Sequence, residues 1–166
     1  MKKFVNIVGW ISKICGYAGA PMPFIAAIVI FYEIIMRQIF NRPTLWVSES
    51  TAMLCGACYL LGGALNVKND GHVRVDIIYS KFSPRGRAVL DCFNFCFVAL
   101  YVGVMIRVIY PYMMQSIRLD EHSYTAWNPM VWPMKILLFA GFILVLLQST
   151  ANLLKNLHLA ITGRPL

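Results

Sequence analysis

Apolar residues along this chain come in four long blocks divided by short polar strings. Residues 21–40 read PMPFIAAIVIFYEIIMRQIF, and residues 45–67 read LWVSESTAMLCGACYLLGGALNV. Residues 88–110 read AVLDCFNFCFVALYVGVMIRVIY, and residues 131–154 read VWPMKILLFAGFILVLLQSTANLL. Each block matches the ~20 residues that an α-helix needs to cross the hydrocarbon core of a bilayer. None alternates with a period of two, as a transmembrane barrel strand does. A helix satisfies its own backbone hydrogen bonds in lipid, so the pattern predicts an all-α membrane protein with four transmembrane helices in one bundle.

Residues 2–17 carry a different pattern. Lys2, Asn6, Gly9, Lys13 and Gly16 form one helical stripe, opposite Phe4, Ile7, Val8, Ile11 and Ile14. Such a segment predicts an amphipathic helix lying in the membrane interface, its lysines toward lipid head groups. The small residues of Ala18–Ala20 resemble a signal-peptide cleavage site. Lys13 nevertheless interrupts the apolar run, and the segment reads as retained. Gly19 and Pro21 then turn the chain into the first span.

Charge adds an orientation. With the N-terminus inside, the inner segments hold Lys2, Lys3, Lys13, Lys68, Arg74, Lys81, Arg85, Arg87, Lys155 and Arg164, while the outer loops hold only Arg37, Arg42 and Arg118. The positive-inside rule then places both termini, and a hairpin over residues 68–87, in the cytoplasm. Composition agrees with a membrane protein: 59% of residues are hydrophobic and 13% charged, against about 25% charged in soluble domains. The net charge of +8 follows from topology and anionic lipid, and calls for no nucleic acid.

Candidate chemistry is sparse. Cys55-Gly-Ala-Cys58 and the pair Cys92 and Cys96 could be redox-active or supply metal ligands. Cys55 and Cys58 fall near mid-span, with no adjacent cation to favour a thiolate, and read as small packing residues beside Gly56, Ala57, Gly62 and Gly63. His72, His122 and His158 lie in loops or at a span end, so no imidazole stands within a span to ligate haem. No catalytic residue, metal or cofactor is expected. Charges within spans are costly unless paired. Glu33 and Arg37 lie one turn apart, the NRPT turn brings Glu49 to a similar depth, and Arg107 and Lys135 complete a predicted layer near the outer face. That layer reads as a network fixing helix register. Trp46, Trp127 and Trp132 form an outer aromatic belt, and Pro129 and Pro133 flank Trp132 where the chain enters the last helix. In the hairpin, Asn69-Asp70-Gly71 signals a turn. His72, Arg74 and Asp76 then read either as a ligand site or as a folded polar latch.

Taken in order, Arg37, FNRPTLWVSE with Trp46 and Glu49, GHVRVD with His72, Arg74 and Asp76, WNPMVWPMK with Pro129 and Trp132, then Gly141 and LLQ resemble the small, DctQ-like membrane subunit of tripartite ATP-independent periplasmic (TRAP) transporters. The matches run from about residue 30 to 155, with Ser48 where many relatives carry a second acid beside Glu49. The resemblance implies a non-catalytic scaffold in the bacterial inner membrane. Its implied partners are a large membrane subunit holding the substrate and sodium sites, and a periplasmic binding protein that captures an organic acid. It further implies that the residues just named serve structure and assembly. Two other classes stay open on the residues alone. One is a homodimeric proton-coupled multidrug exporter using Glu33, and the other is a membrane thiol oxidoreductase using the cysteines.

Overall fold

The computed structural model describes residues 2–69 and 84–162. Among these residues the chain forms five helices: α1 (Lys2–Gly19), α2 (Met22–Gln38), α3 (Val47–Lys68), α4 (Pro84–Arg118) and α5 (Trp132–Thr162). Four stretches are long and apolar enough to cross a membrane, Lys2–Gln38, Val47–Lys68, Val89–Arg118 and Trp132–Leu159. The expected all-α membrane protein with four spans is what the chain forms. His72, Arg74 and Asp76 lie outside the described residues.

Local chemistry sets the helix ends. Pro23 stands in the first turn of α2 and Pro133 in that of α5, where a missing N–H costs no helical bond. α4 continues through Pro111 to Arg118. The ring nitrogen there has no hydrogen for the Arg107 carbonyl, a loss that membrane helices tolerate when neighbours compensate. Between α2 and α3 the chain reverses through Asn41, whose φ of 53° is left-handed, a conformation that asparagine adopts more readily than most residues.

Helix packing departs from the expected closed bundle. α2 packs chiefly on α3, α3 on α5, and α5 on α4, so the spans form one row in the order α2, α3, α5, α4. α4 has only 6% of its most apolar stretch buried, against 22% for α5, which marks α4 as an edge and α5 as a centre. Small residues let the central pair approach: a Cβ added at Gly141 would lie 3.3 Å from the Leu60 carbonyl oxygen. Without a water-exclusion drive between helices in lipid, such close backbone packing is what holds spans together.

α1 lies in the groove between α3 and α5. Its buried face is Val5, Val8, Gly9, Ser12, Gly16 and Gly19, while Ile7, Trp10, Ile14 and Tyr17 are exposed. Gly9 and Gly16, which the sequence pattern puts on the lysine stripe, are thus buried against protein. Gly9 meets Lys68, Gly16 meets Leu65, and Gly19 meets Leu61 and Cys58. Gly9–Gly19 of α1 therefore runs antiparallel along Cys58–Lys68 of α3, eleven residues and about 15 Å on each helix. Glycine aligns with lysine on the wheel because neither carries a large apolar side chain, yet a side chain of hydrogen is what allows contact.

Candidate functional site

Among the described residues, two groups of hydrogen-bonded polar side chains stand out in this apolar row. The first is at the end where α2 turns into α3 and α4 into α5. On α2, Arg37 donates to Glu33 Oε1 through Nε at 3.1 Å and through a terminal nitrogen at 2.8 Å. Glu33 Oε2 accepts from the Thr44 backbone N–H at 3.0 Å and from the Thr44 hydroxyl. Both carboxylate oxygens are thereby engaged, and one acid ties the turn of residues 39–46 to its own helix. Trp46, the residue before α3, packs its ring against Tyr32 with centroids 6.0 Å apart.

Glu49 does not join Arg37. It accepts from the Ser123 hydroxyl at 3.0 Å and so fastens the α4–α5 loop to the start of α3. That loop is folded throughout. Ser123 N–H donates to the Pro129 carbonyl at 3.0 Å, Val131 N–H donates to the Glu121 carbonyl at 2.9 Å, and an isolated bridge pairs His122 with Met130. Trp132 Nε1 donates to Asp120 at 3.0 Å, and Lys135 forms an ion pair with Glu121 at 2.5 Å. Tyr124 holds a left-handed φ of 55°, with its N–H bonded to Asn128 Oδ1 at 3.0 Å. The predicted charge layer is thus divided into separate ties: Glu33 with Arg37 and Thr44, Glu49 with Ser123, and Lys135 with Glu121.

The Lys135 hydrogen bond holds the Glu121 carboxyl below its ordinary value of 4.5. A depressed carboxyl contributes stability above its unfolded value and loses it as pH falls through the folded one. The amide protection of the loop is therefore expected to hold from neutral pH down to about 4.5 and to weaken as pH falls further. Hydrogen exchange across residues 119–131 measures this. Lys135→Met should give weak protection at neutral pH as well, and an unchanged profile in that variant would remove the ion pair as the cause.

The second polar place is inside the row. Ser12 Oγ donates to Gln148 Oε1 at 2.9 Å, Gln148 Nε2 donates to Asn152 Oδ1 at 3.2 Å, and Asn152 Nδ2 donates to the Val67 carbonyl at 2.8 Å. Ser12 and Gln148 are fully buried. The chain of bonds joins α1, α5 and α3 at the point where all three meet. Sequence reasoning passed over Ser12 and Asn152 and saw Gln148 only within LLQ. Gln148 and Asn152 stand four apart in an otherwise apolar run, which is one helix face, and that spacing is the signal available.

The cysteines do not converge. All five are free thiols. Cys55 and Cys58 are on α3, Cys92 and Cys96 on α4, and α5 stands between those helices. Among the described residues no group of three or more His, Cys, Asp and Glu could hold a metal.

These features define a multi-pass, all-helical membrane protein whose buried polar groups tie its own elements together. The sequence pattern of the DctQ component of the tripartite ATP-independent periplasmic transporters matches residues 26–159, and the chain belongs to that family. It is a small TRAP transporter subunit. It is similar to a C4-dicarboxylate TRAP transporter small permease protein, DctQ, of Vibrio cholerae serotype O1, with 27% identity over 104 residues. That alignment covers 55% of this chain and 45% of the relative.

Proposed function

We propose that this subunit is a non-catalytic scaffold in a bacterial inner membrane. It holds the large membrane subunit of a sodium-driven TRAP transporter, which receives an organic acid from a periplasmic binding protein. The observation that carries the reading is the open row of spans. Its two edge helices expose large apolar side chains, such as Phe24, Ile28 and Phe31 on α2 and Phe93, Phe97 and Leu100 on α4. Such a layer offers wide contact area to lipid and to a second membrane subunit. Meanwhile the polar groups of the looped end and of the buried chain from Ser12 to Val67 are occupied in internal ties, which suits a part that keeps its shape while a partner moves. Arg37, Trp46, Glu49, Pro129 and Trp132 act at the looped end in folding and assembly, and His72, Arg74 and Asp76 in the hairpin do the same. Both termini and that hairpin face the cytoplasm, as the lysine and arginine distribution favours. A carboxylate substrate follows the family and the C4-dicarboxylate in the relative's name.

Purification of the tagged chain from its native host in mild detergent tests this directly. Intact-mass analysis should find a large polytopic partner in fixed ratio. Glu33→Gln should leave sodium-driven uptake by the reconstituted complex within a few fold of the parent. A homodimer alone, together with loss of transport in Glu33→Gln, would replace the scaffold with a proton-coupled exporter.

A further inference from the structure

At the end of the row away from the folded loops, α1, α3 and α5 border an open recess of about 270 Å3 lined by Val5, Asn6, Gly9, Trp10, Lys13, Lys68 and Lys155. This volume is the room of roughly nine liquid waters, ample for a phosphate group and the carbons beside it. Each helix contributes one lysine. Lys68 closes α3 and is half-buried, its ammonium donating to the Gly9 carbonyl at 2.6 Å. That bond uses one of three N–H donors and leaves two to point elsewhere. Lys155 is half-buried on α5. Lys13 lies with its ammonium 5.7 Å from the centre of the Tyr17 ring, one turn along α1. Among the described residues no carboxylate pairs with any of the three.

Three like charges brought by three helices into one recess, two of them half-buried, repel one another and call for an anion. The recess also has a membrane address. It sits where α3 ends at Lys68, and exposed Trp10 beside it is the kind of ring that settles at head-group level. Basic recesses between transmembrane helices suit the phosphates of anionic lipids. Asn6 can add an amide donor to the same group.

We propose that this pocket binds the phosphate of an anionic phospholipid head group. The lipid then acts as a clasp, drawing the lysines of α1, α3 and α5 onto one anion while its acyl chains cover the exposed flank of α1. The buried chain from Ser12 to Val67 fixes the same three helices from within, so the pocket is held in shape before the lipid arrives.

The test is a lipid titration of the purified full chain, with any subunit that accompanies it, followed by native mass spectrometry and thermal unfolding. Phosphatidylglycerol and phosphatidylcholine with identical acyl chains are compared, with inorganic phosphate as a separate arm. Phosphatidylglycerol should bind at least about tenfold more tightly than phosphatidylcholine and raise the unfolding temperature more, since each basic residue near an anionic head group contributes several fold. Lys13→Gln with Lys155→Gln should abolish the preference while leaving the unfolding temperature in phosphatidylcholine unchanged. Arg42→Gln with Arg118→Gln, which removes the same charge at the other end, should retain it. Should the double lysine variant not fold, Lys155→Gln alone is read in the same titration, with a loss of several fold expected. Equal binding of the two lipids by the parent chain overturns the proposal, as does a preference that survives the lysine substitutions. Displacement of phosphatidylglycerol by inorganic phosphate alone would make the ligand a soluble anion and overturn the lipid assignment.

Discussion

Gly16→Leu is expected to detach α1 from the row and to prevent recovery of a folded subunit in mild detergent. Gly16 lies directly against Leu65 of α3, and an added Cβ would already sit 2.8 Å from the Leu65 Cβ and in overlap with its branch. Those atoms are near the backbone, so rotation of Leu65 does not clear the clash. Overpacking of a well-packed site costs about 1–3 kcal/mol and more when the backbone must shift. Gly16→Ala should therefore lower the unfolding temperature, and Gly16→Leu should fail outright. Combining Gly16→Ala with Leu65→Ala should recover part of the loss, because the second change removes the atoms that the new methyl meets. Gly103→Ala is the control: nothing lies within 4 Å of a Cβ there, and alanine favours a helix over glycine by up to ~1 kcal/mol. If Gly16→Ala and Gly103→Ala behave alike, the α1–α3 seam is not packed as described.

Gln148→Leu should give the second large effect. The substitution is close in size, so it removes the hydrogen bonds with little change in packing. Ser12 keeps an acceptor, because its hydroxyl also lies 2.9 Å from the Val8 carbonyl oxygen. Asn152 Oδ1 loses the donor Gln148 Nε2. Asn152 is half-buried, so its loss falls toward the low end of the ~1–3 kcal/mol of a buried polar atom left without a partner, and interhelical hydrogen bonds in membrane proteins average ~0.6 kcal/mol with a maximum near 1.7. The expected loss is thus about 1–2 kcal/mol, and Gln148→Ala should lose more because a cavity is added. A double-mutant cycle distinguishes the links. Coupling between positions 12 and 148 should be small, since Ser12 retains Val8, and coupling between 148 and 152 should be larger. Parent-like stability of Gln148→Leu in detergent unfolding would mean that packing alone holds α1 in its groove.

The two changes act on one junction from different sides. Gly16 is needed for α1 to come close enough, and Gln148 anchors the buried chain of hydrogen bonds that Ser12 of α1 joins. Both effects should weaken any attachment that depends on the shape of the α1, α3 and α5 surface, including that of the large subunit proposed above.

Hydrophobic blocks revealed the helices because lipid imposes a length and an all-apolar surface on each span, and both are linear properties of a sequence. The Glu33–Arg37 pair was also legible, since partners one helical turn apart must meet when both side chains are charged and the surroundings are not. The partners of Glu49 and Lys135 were not. Ser123 and Glu121 belong to a loop whose path depends on left-handed residues at Asp120, Tyr124 and Asn128, and no periodicity encodes that path. Arg37 and Glu49 share a depth on paper, yet each has a nearer partner.

Length, apolar blocks and motif order were enough to specify a four-span helical membrane protein of the DctQ family and to place charge at the span ends. It took the packed helices to show that the spans stand in a row and not in a closed bundle, that Gly9 and Gly16 face α3, and that Ser12, Gln148 and Asn152 form one chain. The reason is physical. In lipid every face of a span is apolar whether it meets a neighbour or an acyl chain, so hydrophobicity sets what crosses the membrane and says nothing of what packs against what. That choice is made by small residues and a few directed hydrogen bonds, and their partners are settled only once the helices have met.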